Sequence, residues 1–134
     1  MVYTKAMLDL KTLAQQVVAF REARSWKRFH GSKDLVLGLL VELGELAEHF
    51  QYLTGEELEK YQQDFKKDIG EEMADVLFWL LLMSEEQGID LEQAFLQKMK
   101  KNEQKYPVAM IDKKTGFSTS GKLYNRWHAK NTGQ

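Results

Sequence analysis

The sequence contains no cysteine, which excludes disulfide staples, thiolate metal ligands and cysteine nucleophiles together. Proline occurs once, at Pro107, so nothing before it forbids long helices. Long hydrophobic runs are missing as well. The longest, Val76 to Met83, is too short to cross a bilayer, and no apolar stretch of a secretory signal opens the chain. A reducing cytoplasm is the expected setting. Nor is there an excess of charge of one sign, since 19 basic residues meet 20 acidic ones for a net charge of −1. The balance is uneven all the same. From Pro107 onward Lys113, Lys114, Lys122, Arg126 and Lys130 face Asp112 alone, which leaves that segment at +4 and the rest at −5. A tail of this size lacks the charge and the recognisable module that nucleic-acid binding requires. Neither nucleic acid nor membrane is therefore an expected partner.

At 134 residues the chain has the material for one domain with a real core. No segment alternates with period two for long enough to be a strand, whereas apolar residues recur at helical spacing throughout. A first helix is expected over about Lys5 to Arg24, with Met7, Leu8, Leu13, Ala14, Val17, Val18 and Phe20 on its buried face. A second runs from near Asp34, capped by Ser32 or Asp34, to about Tyr52. Thr54 followed by Glu57 reads as a capping box for a third helix that reaches Gln87 and stops at Gly88, with Gly70 as its point of interruption. The fourth opens at Asp90 and Gln93 and ends before Pro107. The expectation is an all-α four-helix bundle over residues 1–107, followed by an irregular basic tail over 108–134.

What stands out within that frame is acid. Glu42-Leu43-Gly44-Glu45 lies in the second helix and Glu72-Met73-Ala74-Asp75 in the third. Residues three apart on a helix lie about 60° from each other around the axis, so each pair can aim two carboxylates at one spot. Glu42 and Glu45 sit on the margin of an apolar sector that they share with Gly38, His49 and Tyr52, and Glu72 and Asp75 share a sector with Asp68 and Trp79. One such pair alone is ordinary solvated surface. Two pairs beside buried sectors require compensation, because desolvating ionised carboxylates costs several kcal/mol each. An all-oxygen site for a hard cation, Mg²⁺ with Mn²⁺ as a substitute, supplies it. A di-iron bundle would use Glu-x-x-His motifs. The residues three before His30, His49 and His128 are Lys27, Leu46 and Asn125, so that design is absent.

Three blocks in order now resemble a known family. They are Gly38-Leu-Leu-Val-Glu42-Leu-Gly-Glu45-Leu-Ala-Glu48, then Glu71-Glu72-Met-Ala-Asp75-Val-Leu, then Lys98-Met-Lys-Lys-Asn102-Glu-Gln-Lys105-Tyr106-Pro107. Together they are similar to the MazG-like all-α nucleotide pyrophosphohydrolases, in particular the dCTP pyrophosphatase branch. The resemblance implies Mg²⁺-dependent cleavage of a nucleoside triphosphate between the α and β phosphates, performed by homo-oligomers, dimers or tetramers, of helical bundles. It assigns Glu42, Glu45, Glu72 and Asp75 to the metal, and Glu48, or Asp68 behind it, to the attacking water. Lys98, Asn102 and Lys105, at i, i+4 and i+7, form a stripe for phosphate and sugar oxygens, and Tyr106 either lines the same pocket or caps the helix end.

The base falls to the segment Ser25-Trp26-Lys27-Arg28-Phe29-His30. Its aromatics could be plain core anchors, but related enzymes hold the base there, with Trp26 stacking, Phe29 beside it and His30 as a polar contact. Trp79 and Tyr52 would close the pocket from the metal side. Two positions depart from close dCTP-cleaving relatives: Tyr52 stands where they carry tryptophan, and Val17 where some carry histidine. Both bear on base preference and neither on phosphate chemistry. The competing reading is a non-catalytic helical oligomer that binds nucleotide or a partner protein.

Overall fold

The computed structural model describes residues 9–114. Five α-helices succeed one another, α1 (Leu10–Glu22), α2 (Ser32–Glu48), α3 (Gly55–Asp64), α4 (Lys66–Glu86) and α5 (Leu91–Lys105), with 3₁₀ turns at Trp26–Phe29 and Val108–Met110. No strand element occurs among the described residues, as expected of an all-α chain. Contacts divide the chain into two compact units that meet between Glu92 and Gln93. The expected helix residues Lys5 to Leu8 and the tail from Thr115 onward, with His128, lie outside the described residues.

The first unit is organised around α4, which packs against α1, α2 and α3. Asp9 starts α1, its carboxylate accepting the Thr12 N–H at 2.7 Å, which satisfies one of the four N–H groups a helix start leaves orphaned. At α2 the cap is Gly31. Its N–H donates to the Asp34 carboxylate at 3.1 Å, while the Ser32 hydroxyl accepts from the Gln87 amide at 2.8 Å. That contact joins the start of α2 to the end of α4 and makes the two helices antiparallel.

Two boundaries differ from the sequence expectation. Helix α2 stops at Glu48 rather than Tyr52, because the next turn tightens: the Phe50 N–H reaches Ala47 O and the Gln51 N–H reaches Glu48 O. The third expected helix is two helices, so the described residues hold five α-helices where four were expected. The break falls at Phe65 (φ −109, ψ 23), whose ring stacks on Tyr61 at 4.4 Å, and not at Gly70, which continues α4 undisturbed. The Thr54 capping box does not form; Thr54 makes no side-chain cap, and the entry to α3 is set by Gly55 at φ +56, where a side chain would be strained. At the far end of α4 the expectation holds. Gly88 takes φ +63 and the Ile89 N–H reaches back to Ser84 O at 2.9 Å, a Schellman closure.

Leu35 and Leu82 are fully buried and Leu81 and Ala14 nearly so. The run Val76 to Met83 is therefore partly covered within one chain: Leu81 and Leu82 face inward, and Leu77 and Leu80 remain exposed. Arg21 is buried too, with Nη1 3.6 Å from Glu86 and Nη2 donating to Glu22 at 3.3 Å. Because a Cβ on Gly70 would meet nothing within 4 Å, Gly70→Ala should raise stability by about 0.5–1 kcal/mol, the helix-interior cost of glycine. Denaturant melts of the two proteins check it, and a less stable alanine variant would show that Gly70 needs its freedom.

Candidate metal centre and adjoining groove

Antiparallel packing decides which acids meet. With Ser32 against Gln87, the register carries Glu42 to Trp79 and Glu45 to the level of Glu72. Glu42, Glu45 and Glu72 each bring a carboxylate oxygen within 4.8 Å of the others, a group of acids able to hold one cation. Glu42 and Glu72 are half-buried and Glu45 is exposed, so the cluster opens to solvent on one side. Asp75 lies outside this trio, although its charge is felt at Glu42.

Two observations show strain that a cation would relieve. Glu72 Oε2 is buried without a hydrogen-bond partner, an expensive state for a carboxylate oxygen. Burial also raises the Glu42 pKa above the ordinary carboxylate value; the charges of Asp75 and Glu45 add to the rise, and the hydrogen bond from Trp79 opposes it. An all-oxygen donor set with an orphaned buried oxygen fits a hard divalent cation.

The raised pKa has a sign that can be measured without metal. Between the ordinary and the raised value, the folded protein keeps a proton on Glu42 that the unfolded chain releases. The Glu42 contribution to stability is therefore complete below the ordinary value and lost as pH rises through the raised one. Thermal melts from about pH 4 to about pH 7 should show metal-free wild type losing stability with rising pH relative to Glu42→Gln. A flat difference, or one of opposite slope, would contradict the burial of Glu42.

Around the trio, Trp79 Nε1 donates to Glu42 Oε1 at 3.0 Å, and its ring lies 5.3 Å from that of His30. Burial lowers the His30 pKa, the Arg21 charge lowers it further, and Asp34 opposes both, so the ring is neutral near pH 7. Trp26 contacts the Phe20 ring edge-on at 5.9 Å, and Phe29 is 59% exposed beneath Arg28. Tyr52 stands 85% exposed on the turn after α2. Glu48 ends α2 and Asp68 opens α4, both exposed. His49 is engaged elsewhere, its Nδ1 2.8 Å from the Tyr61 hydroxyl of α3.

A groove of about 450 Å³ runs between α1 and α4. Val17, Phe20, Leu77 and Phe78 give it apolar walls, Gln16 and Asp75 are polar members of its lining, and Phe20 meets Phe78 edge-on at 5.8 Å. The sequence marks none of Phe20, Gln16 and Phe78 as lining residues: Phe20 reads as the buried face of the first helix, Phe78 as part of the apolar run Val76 to Met83, and Gln16 carries no signal. In the second unit, Lys98 and Lys105 are exposed and Asn102 half-buried on α5; the Asn102 carbonyl accepts the Tyr106 N–H at 2.8 Å, and Lys105 Nζ lies 5.2 Å from the Tyr106 ring.

An antiparallel helix pair that gathers three carboxylates beside an apolar groove is an arrangement able to hold a divalent cation. The MazG nucleotide pyrophosphohydrolase domain matches residues 30–110, and the chain belongs to that family. It is 37% identical over 91 residues to dCTP pyrophosphatase 1 of Rattus norvegicus and of Homo sapiens, a match over 66% of this chain and 54% of the relative. The chain thus spans about half the length of these curated relatives. The crystal structure of a pyrophosphatase from Archaeoglobus fulgidus superposes with a TM-score of 0.69 and 32% identity, covering 79% of this chain and 99% of that one.

Proposed function

We propose that the chain hydrolyses nucleoside triphosphates to the monophosphate and pyrophosphate with Mg²⁺, or Mn²⁺ in its place, favouring dCTP or a related deoxynucleotide. The single observation that carries this reading is the buried, unpartnered Glu72 oxygen within 4.8 Å of the Glu42 and Glu45 carboxylates. Glu42, Glu45 and Glu72 hold the cation, with Asp75 completing the set. When bound, the cation supplies Lewis acidity toward phosphate oxygens and toward water. Glu48 accepts the proton of the attacking water, Asp68 being the alternative base. Lys98, Asn102 and Lys105 are carried over from the family as contacts to phosphate and sugar oxygens, with Tyr106 lining the same pocket or capping the helix end.

For the nucleoside we favour the groove between α1 and α4. It has the volume typical of a small-ligand pocket, apolar walls for a base and two polar lining residues, Gln16 and Asp75. Trp26, held against the Phe20 wall, supplies a stacking face at its rim, with His30 and Phe29 in the same loop and Tyr52 on the metal side. Uncovered apolar surface supports assembly as a homodimer or homotetramer: Leu40 and Val41 on α2 are 57% and 58% exposed. The helical catalytic part would end at Pro107, with the basic tail beyond it. Nucleotide-pool cleaning in a reducing cytoplasm is the setting.

A panel of canonical and 5-substituted dNTPs and NTPs, scored for pyrophosphate release, tests the substrate assignment. A cytosine deoxynucleotide should give the highest kcat/KM, and a purine preferred over every cytosine nucleotide would overturn the base assignment. Trp26→Ala should raise KM and flatten discrimination, since base stacking is worth about 1–3 kcal/mol. An unchanged base profile would remove Trp26 from the site.

A further inference from the structure

The indole of Trp79 lies flat along α2, and the reason is Gly38. A Cβ on Gly38 would stand 2.6 Å from Cε3 and Cζ3 of the ring and 2.8 Å from Cδ2, closer than real Cβ atoms come. Glycine inside a helix is a destabilising choice, so a glycine held there by one ring marks a contact that matters. Gly38 is one helical turn before Glu42. Lying over that glycine, the ring extends its Nε1 along the helix and donates to Glu42 Oε1 at 3.0 Å. Its flanks are fixed too, by the His30 ring at 5.3 Å and by Phe78 edge-on at 5.9 Å.

We infer that Trp79 is a positioning residue, which clamps the Glu42 carboxylate in the orientation that presents its other oxygen to the cation, and that Gly38 exists to admit the clamp. An indole N–H can only donate, so it selects a carboxylate oxygen and holds it. Without the clamp the Glu42 side chain would sample several rotamers, and its acid partners would repel it from the cluster. The inference rests on the assignment of Glu42, Glu45 and Glu72 to a divalent cation. Partners in the outer shell of a metal site commonly change affinity 10–100-fold, which sets the scale expected here.

The experiment reads metal binding directly. Mn²⁺ uptake by wild type, Trp79→Phe, Gly38→Ala and Glu42→Gln is measured by the loss of the free-ion paramagnetic resonance signal, with circular dichroism to establish that each variant is folded. Trp79→Phe removes the donor, and Gly38→Ala keeps the donor but displaces it. Each should bind Mn²⁺ about 10–100-fold more weakly than wild type. Trp79→Phe added to Glu42→Gln should cost little more than Glu42→Gln alone, because the clamp acts through that carboxylate. In wild type, the Trp79 indole N–H resonance, assigned by its disappearance in Trp79→Phe, should shift on Mg²⁺ addition. That shift should be lost in Gly38→Ala. If either variant is unfolded, the other and the wild-type resonance decide the matter. Wild type that takes up no Mn²⁺ overturns the cation assignment and the clamp with it. Wild-type binding that the folded variants match overturns the clamp alone.

Discussion

Glu72→Gln should lower turnover by at least about two orders of magnitude while leaving the fold intact, a loss on the scale of removing one preorganised electrostatic contact from an active site. The substitution keeps the shape of the side chain and deletes its charge. Glu72 Oε2 is already buried without a partner, so the metal-free fold gains nothing from that charge and bears its repulsion from Glu42 and Glu45. Apo stability should therefore be unchanged or higher, and only the response to cation should be lost. Steady-state kinetics with melts in EDTA and in Mg²⁺ separate these effects. Near-normal turnover, or a variant unfolded in EDTA, would remove Glu72 from the site.

The second large effect is on folding. Leu81 is 2% exposed, and its carbonyl accepts the Ser84 hydroxyl at 2.8 Å, at the level where α1 and α4 pack. Leu81→Arg would force a long cationic side chain into a packed position, at an effective cost of several kcal/mol plus the lost packing. Against a total stability of about 5–15 kcal/mol for a domain of ordinary size, the variant should unfold or aggregate. Circular dichroism and sedimentation check this. A cooperatively melting, active Leu81→Arg protein would mean that α4 does not carry the core.

How much of this was legible in the sequence depends on the range of the interaction. Gly88 and Pro107 bracket their helix ends as expected, because a left-handed closure and a missing N–H are local devices. The pairing of the two acidic motifs was legible as well, since spacing fixes the helix face and burial makes unpartnered charge costly. The break at Phe65 was not. It accompanies an aromatic stack on Tyr61, whose hydroxyl is in turn engaged by His49 just past the end of α2, and no local signal encodes that. The absence of Asp75 from the trio was equally hidden, being set by the register between α2 and α4. The burial of Arg21 against Glu86, sixty-five positions along the chain, was hidden for the same reason. Gly38 offered the one missed clue within reach: a glycine one turn before Glu42, on the same face, is an odd choice in a helix that nothing local interrupts.

The most direct test of the whole account is ³¹P NMR of dCTP hydrolysis by the purified protein in Mg²⁺. Pyrophosphate and dCMP should grow together in equal amounts from the first turnovers, and both should cease on addition of EDTA. Orthophosphate growing with dCDP would place the cleavage at the wrong bond, and that result would contradict the account at its centre.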